Sequence, residues 1–541
     1  MRAPLFWSLL GALLLAHAAV NVAWLSNDLS LRSHDGGPHL EAQLQAARVL
    51  RQQGLDGVLA LARPVEPGWW PSAGYLPGAA LALITGEGPS RLRAIYLGYL
   101  ALLLISVAGV GRRLWSPGAG LLAAAMVGWL PVVYGEGRSY GVDLPGAALL
   151  SAAAWLLLAT RGFSRLWPGA ALGLLLGCSV LVRPQVALFF VPLALAALVS
   201  GFMGDASRCE AGDKPHRKPV RGVLGVLLAA AVSLVVASPW WLGHLEQIAR
   251  TFARHQLDAA QLSGNADATP AYYLSVLPWA FPLWLAPAVL LATWGWLRGQ
   301  DRGAANRMRP VIWAWLLGGT VLVLLIKVHF MRFLLPLCPA LALVTAAGLL
   351  RLRLPWMRRA AVGLVLAAGA GTWGIDSLVQ ETSPSHTLPP GWSAPRPHGA
   401  CSGPPLVDPG MVAARRLARH LARLHPGGAG VELRMVQTPT SGRFRWVAGP
   451  MMRLELGQAL VLGPSYKGRY LFDAHDPRQS HVKIGGAVMP PLAYGATRQR
   501  YLLTFEERPP ELERQIDGAR RFRVHFVRTA LGAPRWATLW R

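Results

Sequence analysis

Negative charge is scarce in this chain: 27 Asp and Glu stand against 53 Lys and Arg among 541 residues, and charged residues of both signs make up only 15%. With 53% hydrophobic residues, so little charge excludes a single water-soluble domain, because only a bilayer tolerates that much continuous apolar surface. Cysteine is nearly as scarce. Cys178, Cys209, Cys338 and Cys401 stand singly with no Cys-x-x-Cys spacing, so neither a zinc site nor a disulfide framework is indicated, and the redox compartment is not readable from them. No cofactor is expected, with divalent metal left open.

Long apolar runs are what the chain has instead. Residues 5–25 follow Arg2 and are long enough to cross a hydrocarbon core, which makes them a first transmembrane helix rather than a cleaved signal peptide ending near Ala18. Further runs lie near 90–111, 117–135, 144–160, 166–182, 185–202, 222–240, 272–297, 310–326, 333–350 and 360–377. The expected architecture is mostly α, a polytopic protein with about eleven transmembrane helices. If the N-terminus is cytoplasmic, the inside turns hold Arg112/Arg113, Arg161/Arg165, the basic loop 203–221, Arg298 to Arg309, and Arg351 to Arg359. Each is basic, as the positive-inside bias requires. The net charge of +26 is therefore read as a membrane signature, and no nucleic-acid partner is expected.

Two outer segments are too long to be mere connections. Residues 26–89 contain an amphipathic stretch from His39 to Leu50 and a short apolar one from Tyr75 to Thr85, both suited to the membrane interface. The second segment, 241–271, follows the Pro239-Trp240-Trp241 aromatic anchor. Residues 1–383 thus form the membrane domain, and 384–409 a Pro-rich linker. The remainder, 410–541, is expected to be a soluble extracytoplasmic α/β domain, with a helix at 410–424 and strands at 431–436, 444–447, 453–456, 501–505 and 522–527. Its histidines lack ligand spacing, and nothing in it resembles a catalytic motif.

The residues able to do chemistry gather at the outer ends. Asp35 stands in Ser33-His34-Asp35-Gly36-Gly37-Pro38, either as a general base toward an incoming hydroxyl or amine or as a turn aspartate bonded to its own backbone. Asp143 opens an apolar helix after Glu136, Arg138 and Tyr140, where helix capping and a functional role both fit. Arg183 interrupts two apolar runs before Pro184, and Lys327, His329 and Arg332 cluster at another outer turn. Cations outside the membrane run against the inside bias, so they either snorkel or hold a phosphate at headgroup level.

The order of these segments resembles the GT-C class of membrane glycosyltransferases, the protein O-mannosyltransferase and aminoarabinose-transferase-like superfamily. The motifs that carry the likeness span roughly residues 5–350. They are Asp35 in the first outer loop, Trp70-Pro71, Arg112-Arg113-Leu114-Trp115, Asp143-Leu144-Pro145, Gly173 to Gly177 with Arg183-Pro184, Pro239-Trp240, and Arg332 to Pro336 with Pro339 to Leu343. The resemblance implies sugar transfer from a polyprenyl-phosphate-linked donor to a lipid, glycan or protein acceptor on the outer face of the inner membrane. It implies that Asp35 activates the acceptor, that Asp143 organises acceptor and cavity, and that Arg183 holds the carrier phosphate. Lys327, His329 and Arg332 join as further phosphate ligands, and His34, Glu136, Arg138 and Tyr140 as candidates for the acceptor cavity. The chain differs from the family pattern in having Gly36 where a second acid commonly follows the first.

Two other function classes fit a many-helix chain. A transporter or lipid flippase would more often place ionisable groups near the midplane and show internal repeats, whereas these charges lie at helix ends. A non-catalytic scaffold carrying an exported domain is the other. Labelling single-cysteine variants with an impermeant maleimide tests the topology that all three readings share. The C-terminal domain should react in intact cells, and the 203–221 loop only after permeabilisation; reaction of that loop from outside overturns the map.

Overall fold

The apolar runs fold as helices, the one open element that satisfies every backbone N–H and C=O within its own segment in hydrocarbon. The computed structural model describes residues 1–27, 36–61, 71–86, 89–209, 218–261, 271–298, 308–326 and 329–378, and eight short strands between 431 and 540. The first helices are α1 (Ala3–Asn27), α2 (Gly36–Gln53), α3 (Asp56–Leu61), α4 (Leu76–Thr85), α5 (Pro89–Arg93) and α6 (Ile95–Leu114). Then come α7 (Pro117–Gly128), α8 (Pro131–Glu136), α9 (Asp143–Thr160), α10 (Leu166–Val182), α11 (Val186–Cys209) and α12 (Lys218–Gln261). The last five are α13 (Ala271–Ala280), α14 (Leu285–Arg298), α15 (Pro310–Leu325), α16 (Cys338–Leu350) and α17 (Pro355–Leu378).

Among the described residues, six segments are long and apolar enough to cross a membrane: Ala3–Asn27, Arg91–Leu114, Asp143–Thr160, Arg221–Glu246, Met331–Leu350 and Pro355–Leu378. Five apolar helices are shorter: Leu76–Thr85, Pro117–Gly128, Leu166–Val182, Val186–Gly201 and Pro310–Leu325. The chain is a multi-pass membrane protein. Within residues 26–89 the expected amphipathic helix is α2, and the short apolar stretch is α4.

Proline explains where the helices depart from the apolar runs. The run 117–135 is two helices because Leu130, ahead of Pro131, is extended (φ −76°, ψ 129°). The run 272–297 is likewise divided into α13 and α14, with the Leu285 N–H donating to the Pro282 carbonyl at 2.9 Å in the turn between. The run expected from 333 begins as a 3₁₀ segment, Met331–Leu337, with Pro336 inside it. At Pro239 the outcome is opposite. The span and the outer segment expected after it are one 44-residue helix, α12, to Gln261. An interior proline removes one hydrogen bond and bends a helix; with helix-compatible residues on both sides it does not end it.

Close helix approach relies on small residues. Gly169, Gly173 and Gly177 line one face of α10 at four-residue spacing against α12: a Cβ on Gly173 would fall 2.9 Å from Ala229 Cα, and one on Gly177 2.6 Å from Val236 Cβ. The turn between α6 and α7 is equally tight, with a Cβ on Gly111 reaching within 2.6 Å of Gly120 Cα. Small residues serve this purpose in membranes because association there depends on packing and not on water exclusion.

By compactness the chain forms two units, Met1–Ser26 with Ala42–Gly86 and Ser90–Pro405, and Asn27–Glu41 with Glu87–Pro89 and Leu406–Arg541. In the second unit the strands are β1 (Val431–Gln437), β2 (Leu460–Leu462), β3 (Tyr466–Lys467), β4 (Lys483–Ile484), β5 (Ala487–Val488), β6 (Gln499–Phe505), β7 (Arg521–His525) and β8 (Trp536–Trp540). They form a mixed sheet of order β2-β1-β6-β8-β7, with β3 on β1 and a separate β4-β5 hairpin. β1 runs parallel to β2, β3 and β6, whereas β8 is antiparallel to both β6 and β7. The expected strands at 431–436, 501–505 and 522–527 correspond to β1, β6 and β7. The expected helix 410–424, the linker 384–409 and the strands at 444–447 and 453–456 lie outside the described residues.

Packing at α10 yields a paired test. Gly173→Ala should lower the melting temperature in detergent, at a cost of ~1–3 kcal/mol for forcing α10 from α12. Gly98→Ala on α6, where a Cβ meets nothing within 4 Å, should leave it unchanged or slightly raised. Equal effects from the two would show that the α10–α12 approach is not tight.

Candidate functional site

Asp143 opens α9, where its carboxylate faces the positive end of the helix dipole and Pro145 fits the first turn without losing an internal hydrogen bond. Arg183 closes α10. Lying before Pro184, it takes an extended backbone (φ −149°, ψ 105°), and this turns its side chain out of the helix. The stem passes the first turn of α9 at Gly146, where a Cβ would fall 2.9 Å from Arg183 Cδ. The guanidinium reaches Asp143, Nη1 donating to Oδ1 in a buried ion pair. Arg332, on the 3₁₀ segment before α16, brings its Nε to 3.8 Å from the other carboxylate oxygen.

Aromatic faces support both guanidinium groups. Arg183 lies 5.6 Å from the centre of the Phe333 ring and Arg332 4.8 Å from that of Phe330, and these two rings meet edge to face at 5.4 Å. Such contacts suit arginine, which is weakly hydrated and planar. His329 is buried beside them, its ring 5.1 Å from that of Tyr273 on α13. Three segments distant in sequence therefore bring two arginines onto one carboxylate, with the buried His329 three residues before the second arginine.

The loop between α8 and α9 brings a second carboxylate near. Ser139 Oγ donates to Glu136 Oε2 at 3.2 Å. A Cβ on Gly141 would lie 3.6 Å from Glu136 Oε2 and 3.9 Å from Asp143 Oδ2, so the two acids flank the same glycine. Arg138 and Tyr140 belong to a different cluster. Arg138, 1% exposed, donates from Nε to Asn21 Oδ1 at 2.7 Å and from Nη2 to Ser377 Oγ at 2.6 Å, with the rings of Trp24 and Tyr134 against its face. The Tyr134 hydroxyl donates to Asp376. Tyr140 packs edge-on against Tyr96, and Arg93 sits over its ring while donating to the Arg138 carbonyl at 3.3 Å. These two candidates for the acceptor cavity are thus engaged in joining α1, α6 and α17, helices far apart in the chain.

Asp35, His34 and Lys327 lie outside the described residues. Among the described residues no group of three or more His, Cys, Asp and Glu could hold a metal ion. Sequence reasoning missed Phe330 and Phe333, which look like ordinary apolar residues, and Asn21, Tyr134 and Asp376. Asn21 did leave a trace, as a polar residue four positions after His17 within an apolar run.

No family model matches the sequence, and no curated protein does. Among solved structures, ArnT from Cupriavidus metallidurans, bound to undecaprenyl phosphate, superposes with a TM-score of 0.59 at 14% identity, over 100% of this chain and 98% of that one. The fold is that of a GT-C membrane glycosyltransferase. More distant alignments include an Archaeoglobus fulgidus oligosaccharyltransferase tethered to an acceptor peptide, at TM-score 0.47 and 11% identity over 86% of this chain and 64% of that one. The mycobacterial arabinofuranosyltransferase AftD aligns at TM-score 0.42 and 16% identity over 78% and 29%.

The buried pair can be tested without any ligand. Asp143→Ala removes the carboxylate that two guanidinium groups face and should cost ~3–5 kcal/mol of stability. The double variant Asp143→Ala/Arg183→Met should cost clearly less than the sum of its single changes, as measured by thermal or denaturant unfolding. Additive losses would mean that the two side chains are not coupled.

Proposed function

We propose that this chain is a GT-C-type glycosyltransferase of the inner membrane, moving a sugar from a polyprenyl-phosphate carrier to a lipid, glycan or protein acceptor on the outer face. The observation that carries the reading is the convergence of Arg183 and Arg332 on Asp143 at the end of a membrane-length helix. It sits within a fold shared over the full length with a protein crystallised on undecaprenyl phosphate. Guanidinium groups held over aromatic faces in a low-dielectric setting suit a lipid phosphate, which two arginines bind through several charge-assisted hydrogen bonds.

In the reaction, Asp35 removes the proton from the acceptor hydroxyl or amine, whose lone pair attacks the anomeric carbon. The bond from that carbon to the phosphate oxygen breaks, and its electron pair leaves with the polyprenyl phosphate. Arg183 and Arg332, with Lys327 and His329, stabilise the charge that develops there. Asp143 holds Arg183 at a fixed angle, so the ligand meets a guanidinium already oriented and loses less entropy on binding. Protein cations supply the electrophilic assistance, and no metal is needed for this step. A transporter is less well supported, since the clustered charges lie at the ends of helices and spans and not in their middles. In this reading the N-terminus is cytoplasmic and residues 410–541, an α/β domain, are outside.

Two sets of variants test the reading. Asp35→Asn keeps size and much hydrogen bonding but removes the base, so transfer should be abolished while undecaprenyl-phosphate binding persists. Near-normal transfer by that variant would move the base elsewhere, with Glu41 or Asp143 next in line. Arg183→Ala should weaken undecaprenyl-phosphate affinity by ~1.5–3 kcal/mol, and Arg183→Lys should restore part of it, since lysine keeps the charge and loses the planar fork. A folded Arg183→Ala protein with unchanged affinity would remove Arg183 from the site.

A further inference from the structure

Tyr96 occupies a place that no step of this reaction uses. It lies on α6, within the Arg91–Leu114 span, and is 3% exposed. Its hydroxyl oxygen accepts from two directions, from the backbone N–H of Gly141 at 3.0 Å and from Gln43 Nε2 at 3.2 Å. The partners lie 45 and 53 residues away along the chain, and both bonds are buried. Gly141 is the residue flanked by the carboxylates of Glu136 and Asp143. Gln43 belongs to α2, the helix of the first outer segment. It is 1% exposed and fits there because α4 presents Gly78, where a Cβ would fall 2.8 Å from the Gln43 amide.

A phenol oxygen can accept two hydrogen bonds and donate its own proton as well, which makes tyrosine one of few side chains able to join two donors in a buried position. The N–H of Gly141 needs such an acceptor, because a buried amide left without one costs a substantial part of its hydration energy. The loop from Glu136 to Asp143 begins in a turn in which the Ser139 N–H donates to the Glu136 carbonyl at 3.3 Å, and Gly141, just before α9, is held from outside the loop by Tyr96.

We propose that Tyr96 is a positioning residue: it ties α2 to the loop between Glu136 and Asp143, and so fixes the Asp143 carboxylate against which Arg183 is oriented. Movement of α2 is thereby transmitted to the anion site, and whatever binds against the first outer segment alters the grip on the carrier phosphate. The effect on ligand rests on the phosphate reading above; the mechanical link does not.

Tyr96→Phe tests this with a one-atom change that keeps the ring and its packing against Tyr140. Two measurements on the purified full-length protein are combined, hydrogen exchange and titration with undecaprenyl phosphate. Exchange should quicken in two peptides at once, one covering residues 137–142 and one covering the Gln43 turn of α2, with the other spans unchanged. Affinity should fall about five- to tenfold and the melting temperature should drop, because two buried donors lose their acceptor, and the affinity loss should largely disappear when Tyr96→Phe is made in an Arg183→Lys background, as coupled sites require. Gln43→Met, which removes only the second donor, should quicken exchange in α2 and give a smaller affinity loss, and it serves if Tyr96→Phe does not fold. If the wild type does not bind undecaprenyl phosphate while both peptides still loosen, the carrier reading fails and the tie stands. If the wild type binds and Tyr96→Phe matches it in exchange and affinity, the positioning role is overturned.

Discussion

A carboxylate buried against two guanidinium groups is the interaction on which the proposed site depends. Away from water neither sign of charge is tolerable alone, and removing one partner from such a group is far more costly than the net stability the group provides. Asp143 is thus the condition under which Arg183 can lie 5% exposed within a membrane domain. The arrangement binds the start of α9, the end of α10 and the segment before α16 to one point. A ligand phosphate entering there would meet arginines oriented beforehand, and the aromatic rings beneath them limit how far they turn.

A second polar knot joins other helices. Arg138 bonds to α1 through Asn21 and to α17 through Ser377, and Tyr134 adds a bond to Asp376. These are the first and last helices of the described membrane region, and between them they hold α8 and the loop that leads to Asp143. In hydrocarbon there is little hydrophobic force to gather helices, so interhelical hydrogen bonds and glycine contacts take over that task. The same loop is held by Tyr96 of α6 and by Arg93 at the end of α5. Its residues are buried, and non-helical chain in a membrane protein is tolerated where protein encloses it.

Much of the helical layout was legible because it follows from composition and period. The apolar runs, the amphipathic α2, the short α4 and the strands β1, β6 and β7 all showed in residue order, since burial in lipid or on one face of an element imposes a local pattern. Breaks were harder to place. Pro131 and Pro282 divide helices while Pro239 does not, so a proline alone does not mark where a helix ends. The strand β8, ending the chain as Trp536–Trp540, went unnoticed because five residues with aromatic ends carry little alternation.

At the site, sequence by itself determined which charges were out of place: Asp143 opens an apolar run, Arg183 separates two, and Arg332 stands just before another. It determined too that Arg183, preceding a proline, would leave its helix. Only the tertiary structure decided that these three residues share one place, that Arg138 and Tyr140 are engaged with α1, α6 and α17, and that Tyr96 ties Gln43 to Gly141. The reason is one of range. Hydropathy and backbone preference act over a few residues and are written in local order, whereas ion pairs and hydrogen bonds across 40 to 240 positions exist only once helices have packed and their facing residues have been chosen.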